Sequence, residues 1–345
     1  MTFGRVLDEA AWQDRLERLT GYSFFATPTW GRMVSGAGLG YRHQAFEFEL
    51  GETQALLPVV AQKRSLGRLV MHSGPFGTYG GLIPLNTVDK EPTDRWAAFG
   101  TEVGHRLMAM SGFGVMVAYP GPRPHIPFPN VFSRFTAFVI DLKTQVLDPA
   151  TGSIAGMRRK TRQYVHKAER AGVEVSVEDS PAAYEAYYEL LLASNRRWGR
   201  SRPNKPWATF ASIQRHSDGK STRLWMARVE GKPAAGLLCF YGMGEVFAWS
   251  SALDEAYVAT RANYLLHSRA ITDGAARGFE TFNLGANENL SGVQWFKEGF
   301  GAQARPYPAY VVGAVLYRAT LWGIRRSGAI LDRLRTSGGR GDELR

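Results

Sequence analysis

Apolar and polar positions along this chain follow a helical spacing in some segments and a strand spacing in others, and the order of segments occurs twice. Residues 8–19 open with acids, and TPTWGRMVSGAG carries Pro28 at an early position with glycines behind it, so both are predicted as helices. HQAFEFEL and QALLPVVAQ alternate or run apolar around the turn GET, which predicts a hairpin at about 43–62. A glycine-rich stretch, HSGPFGTYGGL (72–82), leads to a helix at about 93–111 and a strand, GVMVAY. The proline-dense GPRPHIPFP reads as a loop, and RFTAFVIDL as the last strand of this half.

The second half repeats the order with clearer punctuation. SIAGMRRKTRQYVHKAERAG is a helix stopped by Gly172, around an apolar stripe of Met157, Tyr164, Val165, Ala168 and Ala171. A strand VEVSVED and a helix from Pro181 to about Trp198 follow. TRLWMARVE, PAAGLLCFYG and EVFAWSSALD, joined by the turns EGK and GMG, form an antiparallel meander. A helix at about 258–277, the strand FETFNLGA, a short helix and the strand PAYVVGAV complete the unit. The expected class is α/β with mixed sheets, divided into units at 1–148 and 149–313. A basic amphipathic helix at 314–335 is expected to pack back on the first unit, and 336–345 to be a disordered tail.

Charge separates the halves. Residues 1–148 hold 14 Lys and Arg against 13 Asp and Glu, whereas 149–345 hold 28 against 18, so nearly all of the net +11 lies in the second half. That asymmetry suits a polyanionic partner. Arg158, Arg159, Lys160 and Arg162 begin one basic helix, and Arg200, Arg202 and Lys205 lie in NRRWGRSRPNKPW, where Gly199, Pro203 and Pro206 predict a loop. Trp207 closes that loop as a stacking surface for a base or sugar. Cys239 is the only cysteine, and its setting in GLLCFYG reads as a buried strand thiol in a reducing compartment. The N-terminus lacks the apolar core of a signal peptide, and no run nears the roughly 20 residues of a membrane span, so a cytoplasmic protein is expected. No metal-ligand spacing and no Ser-His-Asp pattern is present in the sequence.

The most specific signal is FETFNLGA followed by VQWFKEGFGAQ. Asn-Leu-Gly ends a strand, Phe296 and Lys297 stand on the next helix, and Gly-Phe-Gly-Ala follows. This pattern, with the MRRKTR helix start and the Ala-Asn-x-Leu-Leu of TRANYLL, resembles the FemABX family. The resemblance implies two tandem acetyltransferase-like (GNAT) domains and an aminoacyl-tRNA-dependent acyltransferase of peptidoglycan assembly. It further implies catalytic roles for Lys297, binding the oxyanion, and Phe296, shaping the acyl pocket.

By the same resemblance Arg200, Arg202, Lys205, Trp207, Trp249, Arg261, Asn263 and Asn283 contact substrate, while Arg158, Arg159, Lys160 and Arg162 meet phosphates of tRNA. Asn263 also reads as the cap of its helix. Expected partners are tRNA, a phosphate-bearing small or lipid-linked acceptor, and peripherally a membrane surface; no cofactor or metal is expected. Two departures stand out: Val34 occupies the family's lysine position in TPTWGRMVSG, and the Gln/Arg-x-x-Gly-x-Gly/Ala loop that binds the pyrophosphate of acetyl-CoA has no full match. Two rivals share these features, an acyl-CoA-dependent N-acyltransferase and a non-catalytic RNA- or membrane-binding module.

Overall fold

A computed structural model describes residues 4–19, 22–63, 69–86, 94–121, 125–148, 152–197, 205–286 and 291–313. The expected terminal helix at 314–335 and the tail lie outside the described residues. In the first half, β1 (Arg5–Leu7) precedes α1 (Glu9–Glu17) and α2 (Pro28–Ser35). Asp8 and Thr27 begin these helices by accepting hydrogen bonds from the backbone N–H groups of Ala11 and Trp30. β2 (Tyr41–Leu50) and β3 (Thr53–Lys63) pair as the expected hairpin. β4 (Leu69–His72), β5 (Ile83–Pro84), α3 (Asp94–Ser111), β6 (Gly112–Val117) and β7 (Val131–Asp141) follow.

A short helix α4 (Leu142–Gln145) and a small hairpin, β8 (Val146–Asp148) and β9 (Ser153–Ile154), lead to the second half. There α5 (Arg159–Arg170), β10 (Val173–Glu178), α6 (Pro181–Arg197) and α7 (Trp207–His216) precede the meander of β11 (Thr222–Val229), β12 (Lys232–Gly242) and β13 (Glu245–Leu253). Its two turns place Glu230–Gly231 and Met243–Gly244 at positive φ, the conformation that two-residue hairpins require. α8 (Ala262–Ala276), β14 (Thr281–Ala286), α9 (Ser291–Gly299) and β15 (Gln303–Gly313) end the described chain.

Among the described residues thirteen strands form one sheet, running β1-β2-β3-β4-β6-β15-β7-β14-β13-β12-β11-β10, with β5 beside β3. The sheet passes without a break through the expected boundary at 148/149 because the halves exchange their last strands. β7 of the first half pairs with β14 of the second, and β15 of the second half lies between β6 and β7.

Side chains alternate along these strands and so divide the apolar core between two faces. On one face α1, α2, α6 and α7 share a single cluster that spans both halves, built on Trp30, Phe25, Tyr79, Tyr187, Phe210 and Phe240. On the other face α3 covers the first half, while α4, α5 and α8 cover the second. Cys239 is fully buried within the second cluster, and burial pushes its thiol pKa well up. No helix among the described residues is long and apolar enough to cross a membrane.

Candidate active site

The site forms where two parallel strands separate. β13 and β14 pair through Glu245–Phe247 and Thr281–Asn283 and then part. β13 carries a register shift against β12 that sets Trp249 outside the ladder, and β14 shifts against β7 between Asn283 and Ala286. Such bulges bend a strand away from its neighbour. At the second, Gly285 takes φ +70°, so the strand end turns and its carbonyls leave the ladder direction.

Lys297 meets the turned end of β14. It lies in the last turn of α9, 7% exposed, and its Nζ donates to the carbonyl oxygens of Gly285 at 2.9 Å and Ala286 at 2.7 Å. The Phe138 ring centroid is 5.8 Å from Nζ. A cation in so apolar a setting is retained only with oxygen partners, and the turned end of β14 provides them. Phe296 packs its ring 5.0 Å from Tyr264, 4.9 Å from His267 and 5.2 Å from Phe300. His267 donates from Nδ1 to the carbonyl of Asn263 at 2.9 Å. Burial, with Lys297 nearby, pushes its pKa down to about 4, so a neutral imidazole adjoins the lysine.

Behind β14 a buried polar network crosses between the halves. Asn283 accepts from the Gly285 N–H at 2.9 Å and donates from Nδ2 to Glu245 Oε2 at 2.9 Å. The Tyr119 hydroxyl, contributed by the first half, donates to the same carboxyl oxygen at 2.9 Å. Tyr79 reaches Asn283 and Tyr307. Burial raises the Glu245 pKa to about 7, an effect that the hydrogen bonds from Asn283 and Tyr119 and the positive charge of Arg305 reduce without cancelling. The sequence pattern does not single out Glu245 or Tyr119, because Glu245 stands on a turn that reads as solvent-facing.

Several expected contacts have other positions. Asn283, expected at substrate, is fully buried, and Trp249 is 6% exposed with its Nε1 donating to the Phe76 carbonyl at 3.0 Å. Both are core residues because β14 and β13 turn these side chains toward the shared face. Asn263 does not cap α8: Arg261, in the left-handed conformation, is the cap residue, and Asn263 Oδ1 faces Ser251 Oγ at 3.2 Å. Arg261 lies over the Tyr164 ring at 4.4 Å, closing a 3-10 turn at Glu255–Thr260.

Lys205 stacks on Trp249 at 4.4 Å, and Trp207, half-buried, begins α7 against Tyr188 at 5.3 Å. Arg200 and Arg202 lie outside the described residues. On α5, Arg159, Lys160 and Arg162 are exposed, while Arg158 pairs with Glu298 at 2.7 Å and ties α5 to α9. Thr161, rather than Ala171, completes the buried stripe of α5.

A Ser-His-Glu chain invisible in the sequence also emerges: Ser35 Oγ lies 2.7 Å from His43 Nδ1, and His43 Nε2 lies 2.7 Å from Glu9 Oε1. It joins α2, β2 and α1, and Ser35 also donates to the Gly31 carbonyl at 2.8 Å, so the chain fastens helices to the sheet.

Comparison with known proteins agrees with this architecture. Residues 155–298 match the family model of the acetyltransferase (GNAT) domain. The crystal structure of FemX superposes with a TM-score of 0.61 at 10% identity, over 92% of this chain and 99% of that one. The C-terminal domain assigned to a lysylphosphatidylglycerol synthetase of Agrobacterium fabrum superposes with a TM-score of 0.56 at 14% identity, over 91% and 94%. A conserved protein from Bacteroides thetaiotaomicron gives 0.50 at 8% identity, over 90% and 99%. No curated protein matches the chain. With its parting parallel strands and the match at 155–298, the second half is a GNAT-type domain, and the chain as a whole, with its repeated element order, has the tandem GNAT-like fold it shares with FemX.

Proposed function

We propose that the chain transfers an aminoacyl group from the ester of an aminoacyl-tRNA to an amine of a cell-wall precursor or related acceptor. The carrying observation is the buried Lys297 at the turned end of β14, its Nζ on the Gly285 and Ala286 carbonyls and beside the Phe138 ring, with Phe296 next to it on α9. The acceptor amine attacks the ester carbonyl, a new C–N bond forms, and the carbonyl oxygen becomes an oxyanion. Lys297, together with a backbone N–H, stabilises that charge; removing such a donor costs about 10²–10³ in rate. The C–O bond then breaks as the carbonyl re-forms, and the leaving ribose oxygen takes the proton from the amine to become a hydroxyl, so no enzyme-bound acyl intermediate is needed. The exposed cations Arg159, Lys160 and Arg162 supply phosphate contacts for the tRNA. A cytoplasmic setting belongs with this reading.

A second reading, transfer from acyl-CoA, is favoured by the match to an acetyltransferase domain. The turn at Glu255–Thr260, closed by Arg261 in place of a glycine-rich loop, favours the tRNA donor. A lipid-linked acceptor and peripheral membrane contact fit the fold shared with the lysylphosphatidylglycerol synthetase domain. The deciding experiment follows labelled acyl groups from charged tRNA, beside an acetyl-CoA arm, to amine acceptors including anionic lipid vesicles. Transfer from charged tRNA that Lys297→Met abolishes supports the first reading; transfer from acetyl-CoA alone supports the second. Binding of tRNA or vesicles without transfer by either donor identifies a non-catalytic module.

A further inference from the structure

Lys297 is held by two carbonyls, and the conformation of those carbonyls is itself specified from behind. Gly285 has a positive φ, and its N–H points to Asn283 Oδ1 at 2.9 Å while its carbonyl accepts from Lys297 at 2.9 Å. One peptide segment therefore connects the polar network on the face shared by both halves with the lysine arriving on α9 from the other face. Asn283 can serve this turn in one orientation only. With its oxygen toward the Gly285 N–H, its amide nitrogen faces Glu245 Oε2; a flipped amide would set oxygen against carboxyl oxygen and N–H against N–H. Glu245 is anchored in turn by the Tyr119 hydroxyl at 2.9 Å.

The other charged and titratable groups facing Glu245 are Arg305 on β15, Tyr119 after β6 and Tyr79 in the loop after β4. Tyr307 on β15 completes the network through Tyr79.

We propose that Asn283 and Glu245 are positioning residues for Lys297, with Asn283 fixing the Gly285 turn and Glu245, held by Tyr119 of the first half, fixing the side-chain amide of Asn283. This rests on the reading of Lys297 as the oxyanion-binding group and deepens it. The consequence is regulatory as well as structural: the placement of a catalytic lysine in the second half depends on a hydroxyl from the first. Displacement of Tyr119 by movement of either half reaches Lys297 through three consecutive hydrogen-bonding residues.

The test reads the position of Lys297 directly and needs no substrate. The folded full-length protein is exposed to trace acetic anhydride, and the acetylation rate of Lys297 is measured by peptide mass spectrometry against the other lysines as internal standards. In the parent, burial and the two carbonyls make Lys297 slow. Asn283→Ala is expected to accelerate Lys297 at least about tenfold, the effect of losing one or two buried hydrogen bonds, with the other lysines unchanged.

Tyr119→Phe removes one distant hydroxyl without disturbing the packing of its ring, so it keeps the test decisive if the alanine variant does not fold. It is expected to accelerate Lys297 about threefold or more. Glu245→Gln keeps an acceptor for both donors and is expected to stay nearer the parent than Tyr119→Phe. Parent-like labelling of Lys297 in both Asn283→Ala and Tyr119→Phe overturns the proposal, as does a uniform acceleration of every lysine in both. In the transfer assay Asn283→Ala and Tyr119→Phe should lower kcat with KM little changed. Full activity of Lys297→Met would instead remove the catalytic reading and leave the labelling result to be judged by itself.

Discussion

Glu245 stores a proton that the unfolded chain releases at lower pH. Its pKa in the folded protein is about 7 against an ordinary 4.5, so between those values the folded state binds more protons than the unfolded state. Stability from this group is therefore greatest below about 4.5 and falls as pH rises to about 7, at roughly 1.4 kcal/mol per pH unit. His267 opposes it: a folded pKa of about 4 against 6.5 makes stability rise with pH across that interval. The two slopes overlap, so the useful observable is the difference in melting temperature between the parent and Glu245→Gln. That difference, parent minus variant, is expected to fall from pH 5 to about 7 and to level off above it; a flat difference from pH 5 upward would mean that Glu245 titrates as an ordinary carboxylate. Lys297 supplies the second residue-scale prediction. Lys297→Met keeps the stem's packing and should lower transfer at least about 10²-fold with the fold intact. Lys297→Arg should rescue little, since a planar guanidinium does not match two carbonyls set for an ammonium. Melting curves beside initial rates check both.

At the scale of elements, the end of β14 and the start of α5 behave differently. Gly285 has room for a methyl group, the nearest atoms being the Phe247 ring at 3.6 Å, so Gly285→Ala is opposed by its φ of +70° alone. A cost of about 1–2 kcal/mol is expected, read as a lower denaturation midpoint, together with faster labelling of Lys297. For α5, the pairing of Arg158 with Glu298 leaves Arg159, Lys160 and Arg162 as the exposed group. Neutralising those three should reduce the dependence of tRNA affinity on salt by about three in log-log slope, whereas Arg158→Gln should chiefly loosen α9. Filter binding between low and physiological salt separates these outcomes; an unchanged slope would exclude this face from the interface.

Across the whole molecule the strand exchange makes the halves interdependent. Without β15, β6 and β7 lose their shared neighbour; without β7, β14 and β15 lose theirs. Residues 1–148 and 149–345 expressed separately should each lack cooperative unfolding, while co-expression should restore one transition, because every cut leaves central strands with unpaired backbone groups. Calorimetry of the intact chain is expected to show a single transition involving both halves. Two well-resolved transitions would mean that the exchanged strands contribute little to coupling.

The sequence by itself determined the elements and their order. Gly and Pro punctuation and the two spacings are local signals, so α2 with Pro28 at its start, the hairpin of β2 and β3, the meander and α9 ending at Gly299 were legible, whereas the cap read at Asn263 was not the one formed. It also singled out Lys297, because a lysine among Phe296, Gly299 and Phe300 breaks the apolar pattern. Only the tertiary structure decided which strands adjoin. β7 and β15 look like the last strands of separate units, and pairing between strands so far apart along the chain leaves no trace in a local pattern. For the same reason Glu245, Tyr119 and Asn283 came together without warning, each lying on a different element and meeting only where the two halves share one face of the sheet. Burial made that carboxyl a high-pKa group, and burial is a property of the assembled sheet rather than of any segment.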